Sequence, residues 1–304
     1  MKKLNFTCSI LFLGALLFLT SCSPKWYDSF EKAAEVAKKK NQDIIFLLSG
    51  DSWDGNSLDF KKNVINTSDF NKTFAKDFIL LNIDVEDSAK NTSSLPIKIK
   101  INHFPSIYVL TMEGWLLKEI PYSQEVKDFS EFKTRFNTNQ ANLKKLSDLA
   151  SSVRKSQGLD QVMAINSFYE SLPSDYRKSI EELFQKVIDL DPNDESGLLG
   201  KFELLNAYSK AEEDIKRGDI KAACLHFDQL ATKDSLTAEQ KQEAYYSQAL
   251  IIISSFSRGS YNLEDFNKVY DLLQKSYEAS PNGIHSADIE RVKKYVEEAL
   301  EASK

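Results

Sequence analysis

Two unbroken apolar runs set the frame of the N-terminal part of the chain: Ile44 to Leu48, bounded by Asp43 and Ser49, and Phe78 to Val85. Apolar runs this short read as strands buried on both faces. Between them, Leu58 to about Lys76 carries helical periodicity, with Phe70 and Phe74 four apart and a break near Asn66-Thr67-Ser68. Ahead of them, Asp28 or Ser29 can cap a helix reaching about Asn41. Phe30, Ala33, Ala34 and Ala37 form its apolar face, and Lys38-Lys39-Lys40 lies at its C-terminal end, where the helix dipole favours cations. Glu86 to Ser94 is a polar loop, and Ile97, Ile99 and Ile101 alternate with lysines as a strand would. Ser106 to Thr111, the turn Met112-Glu113-Gly114 and Trp115 to Tyr122 form a hairpin, and Phe129, Phe132 and Phe136 lie on a closing helix. This order predicts a mixed sheet flanked by helices, an α/β domain over residues 22–136.

From about Gln140 the period changes to that of helices alone. Leu143, Leu146, Leu149 and Val153 make one face; Ile180, Leu183, Phe184, Val187 and Ile188 another; Ala223, Phe227 and Leu230 a third; Val269, Leu272, Leu273 and Tyr277 a fourth. Residues 137–304 are therefore expected to be all-α. The stretches "VIDLDPND" at 187–194 and "SYEASPNG" at 276–283 end helices with Pro-Asn, and "GDIKAACLHFDQLA" at 218–231 spaces Gly218, Ala223 and Phe227. These pieces resemble the second helix and closing turn of tetratricopeptide repeats, although the 34-residue period is not kept cleanly. The acids of Asp191-Pro192-Asn193-Asp194-Glu195 do not make a calcium loop, because Ser196 and Phe202 stand where that loop needs glycine and a bidentate acid. A capped interhelix turn is expected there.

The first 21 residues stand apart. Lys2 and Lys3 precede the apolar run Ile10 to Leu19, too short to span a bilayer comfortably, and small residues follow: the layout of a cleaved export signal. Leu19-Thr20-Ser21-Cys22 resembles the lipobox of bacterial lipoproteins. That resemblance implies that Cys22 becomes an acylated N-terminus anchored to a membrane, in a cell envelope and facing the periplasm.

Of the 304 residues 42% are hydrophobic, and the formal charge of -6 becomes about -8 once Lys2 and Lys3 are removed with the signal. An acidic surface excludes nucleic acid as a natural partner. Cysteine is sparser still. Cys8 leaves with the signal and Cys22 is acylated, so Cys224 is left without a disulfide partner. Burial as a small core residue is the expected role of Cys224, and a thiol relay is the competing one. His103, His226 and His285 are scattered, and no metal or cofactor site is implied.

Trp53-Asp54-Gly55-Asn56-Ser57 follows the first apolar run, "FILLNIDV" supplies the next strand, and His103-Phe104-Pro105-Ser106 precedes the hairpin. In this order residues 25 to 136 resemble the thioredoxin family, with its Trp-Cys-Gly-x-Cys turn facing a cis-proline segment. The resemblance implies a thioredoxin-like fold and a cis peptide before Pro105. Asp54 and Ser57 occupy the two cysteine positions, and neither forms or exchanges a disulfide. Leu47 or Leu48 stands where many members hold a buried, proton-transferring aspartate. The turn thus keeps a negative charge at a helix start and loses its redox chemistry. The expectation is a non-enzymatic protein that binds protein or peptide partners, with Trp53, Asp54, Ser57, Phe104 and Pro105 as a binding rim. The alternative for these residues is purely structural, with Trp53 and Phe104 covering the core and Asp54 capping a helix.

Overall fold

Uninterrupted burial at the centre of the sheet explains why Ile44 to Leu48 contains no polar residue: all five are fully buried. In the computed structural model, which describes residues 25–85, 98, 101, 103–123, 126–256 and 263–302, the chain divides into two compact units at Gln140/Ala141. The expected export segment, Cys22, the expected loop Glu86 to Ser94, and Ile97 and Ile99 lie outside the described residues. Lys98 and Ile101 are described and belong to no strand.

The first unit contains β1 (Trp26–Tyr27), α1 (Phe30–Lys40), β2 (Asp43–Ser49), α2 (Gly55–Phe60), a π-helical turn (Lys61–Ile65), α3 (Ser68–Phe74), β3 (Phe78–Asp84), β4 (Ser106–Leu110), β5 (Leu116–Ile120) and α4 (Phe129–Asn137). The sheet order is β1-β3-β2-β4-β5. β1 and β2 both run parallel to β3, whereas β4 is antiparallel to β2 and to β5. β2 and β3 are thus joined by a helical crossover, as parallel neighbours require. The sequence pattern marks no strand at Trp26 and Tyr27. They form β1 instead, pairing with Leu80 and Leu81, and two residues are too few to show a period.

Local chemistry sets the boundaries. Ser29 caps α1 by accepting from the Lys32 amide, and Asn41 closes it in the left-handed region at φ 51°. The break near Asn66 comes from Thr67, whose hydroxyl donates to the Val64 carbonyl (2.7 Å) and accepts from the Phe70 amide (3.2 Å), ending one helical turn while starting the next. Thr138 and Asn139, the latter at φ 58°, separate α4 from α5 (Gln140–Lys155), so the stretch from Tyr122 to Lys155 is not one helix.

A phenylalanine cluster binds α3 and α4 together. Phe132, 1% exposed, packs against Phe60, Phe70, Phe74 and Phe136 with ring centroids 5.7 to 6.2 Å apart. Lys118 on the edge strand β5 donates to the carbonyls of Phe136 and Thr138, closing the C-terminal end of α4. Burial lowers its pKa.

The second unit continues through α6 (Gly158–Ser171), a 3-10 segment (Ser174–Ile180), α7 (Glu182–Leu190), α8 (Leu199–Arg217), α9 (Ile220–Ala231), α10 (Ala238–Phe256), α11 (Leu263–Ala279) and α12 (Ser286–Ala302). No strand occurs among its described residues. Alternate helices begin at Gly158, Leu199 and Ala238. Their offsets of about 40 residues exceed the 34 of a tetratricopeptide unit, which is why that period is blurred in the sequence. Gly218 ends α8 in the left-handed region at φ 81°, and Asp219 starts α9 by accepting from the Ala222 amide. The stretch 218–231 is therefore one helix with its entry turn. The acidic 191–195 segment is a capped turn. Asp191, 1% exposed, accepts from the Glu195 and Ser196 amides and the Ser196 hydroxyl. Burial acts against its charge, and these hydrogen bonds outweigh that effect and lower its pKa. The turn "SPNG" is held by Gln242, fully buried, which donates to the Ser280 carbonyl and the Ser286 hydroxyl.

Because Phe132 touches four rings, Phe132→Ala removes a central block of the first unit's core. Equilibrium urea unfolding of the full chain is expected to show this unit destabilised by about 3 to 5 kcal/mol.

Candidate functional site

The turn between β2 and α2 is assembled from the backbone outward. After Ser49 the chain reverses through Gly50, whose carbonyl accepts from the amides of Trp53 (3.2 Å) and Asp54 (2.7 Å). Asp54 is the N-cap of α2, and its Oδ2 accepts from both the Ser57 amide (2.8 Å) and the Ser57 hydroxyl (2.6 Å). The same hydroxyl accepts from the Gly50 amide at 3.1 Å. Ser57, fully buried, therefore ties the first residue of the turn to its last.

Trp53 is fixed from two sides. Its indole N–H donates to the Val85 carbonyl (2.6 Å), and its ring lies so close over Gly50 that a Cβ there would sit 2.5 Å from Cε2. The turn is also stitched to the end of β3. The Asp51 amide donates to Asp84 Oδ1 (2.8 Å), the Val85 amide donates to the Ser49 carbonyl, and Lys61 pairs with Asp51.

Phe104 meets Trp53 edge to face, with centroids 5.0 Å apart at 75°. The Phe104–Pro105 peptide is cis, as the family resemblance implies. Ser106 pairs with Leu48 in the β2–β4 ladder, which brings this segment to the end of the strand that carries the turn. Within the segment Ser106 donates to the His103 carbonyl, and a ring nitrogen of His103 lies 3.1 Å from the Pro105 carbonyl.

The five residues singled out from sequence thus take different roles. Trp53 (40% exposed) and Phe104 present surface, while Asp54 is half-buried at the helix start. Ser57 and Pro105 are buried, and their side chains lie beneath this face. Leu58, 53% exposed and one helical turn from Asp54, belongs to this face and was missed, although its i, i+4 spacing from Asp54 was there to be read. Tyr122 borders the same face. Burial raises the pKa of its hydroxyl, and the charges of Asp54 and Asp59 raise it further.

With no cysteine between residues 25 and 136, this turn has no sulfur with which to attack a disulfide. Leu47 and Leu48 are both fully buried and offer no proton carrier. What remains is a helix start capped by Asp54 through the Ser57 amide, beside a partly exposed aromatic pair.

In the second unit Cys224 is 5% exposed, and burial pushes its thiol up to about 11. His226 donates from Nε2 to the Asp214 carboxylate (2.8 Å), and that contact, with Arg217 beside it, lowers the pKa of the Asp214 carboxyl. A groove of about 510 Å³ is lined by residues that include Tyr169, Phe184, Leu205, Tyr208, Ile215 and Leu250. The Tyr208 hydroxyl at its wall bonds to Glu243 and Ser247. Among the described residues no group of three or more acids, histidines and cysteines is placed to hold a metal ion, and no helix is long and apolar enough to cross a membrane.

Residues 25–111 match the family described as thioredoxin-like, and residues 198–302 match one described as an uncharacterised protein C-terminal domain. An uncharacterized protein of Treponema pallidum (strain Nichols) is 26% identical over 160 residues, 53% of this chain and 50% of that protein. The thioredoxin-related protein DsbJ of Chlamydia pneumoniae is 23% identical over 95 residues, 29% of this chain and 27% of that protein. The chain spans half the length of the first relative and about a quarter of the second. No solved structure matches it. Sequence match, strand order and the turn at β2–α2 agree that residues 25–111 form a thioredoxin-like domain, which an all-helical region follows.

Proposed function

We propose that the protein is a lipid-anchored component of a bacterial envelope whose thioredoxin-like domain has become a binding module for protein or peptide partners, without enzymatic activity. The observation that carries this reading is the turn itself. Asp54 and Ser57 are hydrogen-bonded to one another where a dithiol would act, while Trp53 and Phe104 pack together and stay partly exposed beside them. An aromatic anchor already fixed in place loses little freedom on binding, which is the property of an interface hot spot. The apolar groove of the helical unit offers a second concave surface of the kind that captures side chains. Export and anchoring rest on the Leu19-Thr20-Ser21-Cys22 motif, and the partial likeness to a thioredoxin-related protein is in keeping with an envelope setting.

A redox relay through Cys224 is the rival reading. It requires an accessible thiolate, and both the burial of this thiol and its raised pKa argue against it. In the native full chain at pH 8 Cys224 is expected to resist a thiol-labelling reagent and to react at once in urea. Rapid native labelling would restore the relay.

The anchor predicts that Cys22→Ser moves the protein from the membrane fraction to the soluble fraction of cells, and unchanged membrane association would remove acylation from the account. Binding is tested with a photoreactive residue at exposed Asn56. A specific protein adduct is expected in cells, and Trp53→Ala should weaken it by roughly thirtyfold, the equivalent of about 2 kcal/mol at a hot spot. No adduct at Asn56 would leave this face a scaffold rather than a binder.

A further inference from the structure

The groove of about 510 Å³ in the helical unit has apolar walls: Tyr169 and Phe184 from α6 and α7, Leu205 and Ile215 from α8, and Leu250 and Ile251 from α10. Leu250 is 40% exposed, so the groove lies open to a chain passing across it and does not enclose a small molecule. The charged side chains that line it are already matched. Arg177 sits over the Tyr169 ring, 4.4 Å from its centroid, and 3.8 Å from Glu170. Lys178 pairs with Glu212, which also takes Lys216, and Glu181 lies near enough to Lys216 to act on it.

One carboxylate at the edge of the groove is different. On α10, Glu243 stands one turn before Ser247, and its Oε1 accepts from the Tyr208 hydroxyl at 3.0 Å. Tyr208 and Ser247 both line the groove. The phenol has one proton to give, so with that proton on Glu243 it accepts from Ser247. Phe227, edge to face with Tyr208 at 5.1 Å, keeps the ring in place. Burial raises the Tyr208 pKa, so the phenol remains a donor. Glu243 is itself half-buried, and among the described residues its partner is this neutral hydroxyl and no lysine, arginine or histidine. A carboxylate partly withdrawn from water attracts an incoming ammonium or guanidinium more strongly than an exposed one does, because water screens it less.

We propose that this groove captures a segment of a partner polypeptide in which a lysine or arginine adjoins large apolar side chains, the cation bonding to Glu243 and the apolar side chains lying against Leu205, Leu250 and Ile251. Charge and shape select together. An apolar segment without the cation leaves Glu243 as it is, and an acidic one meets it as a like charge. The proposal rests on reading the groove as a capturing surface and adds the chemistry of what is captured; it does not depend on the Trp53 face.

The test uses the full chain and three fluorescently labelled peptides with blocked ends, Gly-Leu-Phe-Lys-Leu-Phe-Gly and its Gln and Glu counterparts, followed by anisotropy. The Lys peptide is expected to bind about tenfold more tightly than the Glu peptide, and the ratio should fall as salt rises from about 0.05 M to 1 M. Glu243→Gln keeps an acceptor for Tyr208 and removes the charge, so it should bring the Lys peptide down to the affinity of the Gln peptide. Leu250→Asp, at an exposed wall position, should weaken all three, whereas Trp53→Ala should weaken none. Equal binding of the three peptides, or a Lys preference untouched by salt, overturns the charge selection, and the groove survives as a capturing surface only if Leu250→Asp abolishes binding. Binding that Leu250→Asp does not change, or no binding at all, overturns the proposal and the groove reading together, while the Trp53 face is judged by its own crosslink. If Glu243→Gln melts below the native protein, the salt dependence on the native chain decides.

Discussion

The architecture around the turn depends on one small constraint: a single carboxylate oxygen of Asp54 receives both the amide and the hydroxyl of Ser57. That pair decides where β2 gives way to α2, and through the Gly50 amide it holds the reversal closed from inside. Once the reversal is fixed, Trp53 has one place to go, flat over a residue that lacks a side chain and hydrogen-bonded to the end of β3. Phe104 then finds its edge-on partner because the β2–β4 ladder brings Ser106 opposite Leu48. The start of α2 is capped by the Asp54 carboxylate, while the Ser57 hydroxyl links that carboxylate to the Gly50 amide. The turn holds a negative charge at the helix start without a thiol.

The two units use different means to reach stability, with no disulfide among the described residues. The first relies on a doubly buried central strand and a phenylalanine cluster that joins α3 to α4. The second relies on consecutive helix pairs whose turns are closed by buried polar side chains, Asp191 for one and Gln242 for another. Such residues fix a turn because leaving them unpaired inside the protein would be costly. Each is therefore a point where shape is specified as well as stabilised.

Much of this was legible in the chain. The run Ile44 to Leu48 reads as a strand buried on both faces, Asp28 or Ser29 and Asp54 read as helix caps, and the break at Asn66-Thr67-Ser68 is visible in the periodicity. The Trp53 to Ser57 layout and the His103 to Ser106 segment located the site, even though they lie some fifty residues apart. What stayed hidden depended on contacts rather than on pattern. Nothing in the sequence says that Trp26 and Tyr27 meet Leu80 and Leu81, that Ser57 and Pro105 face inward, or that Val85 receives the indole hydrogen bond. The repeat period of the helical unit was obscured for a different reason, since hairpins offset by about 40 residues do not register against a 34-residue template.

The central claim is that Asp54 and Ser57 preserve the redox turn in a chemically silent form. It is tested most directly by comparing the native protein with Asp54→Cys/Ser57→Cys in an insulin-reduction assay, with the thiol state of the variant followed by mass. The account predicts no turnover by the native chain, and a variant that keeps the native fold and oxidises to a disulfide between positions 54 and 57. Turnover by the native chain, or a variant that folds yet holds its two thiols too far apart to join, would contradict it.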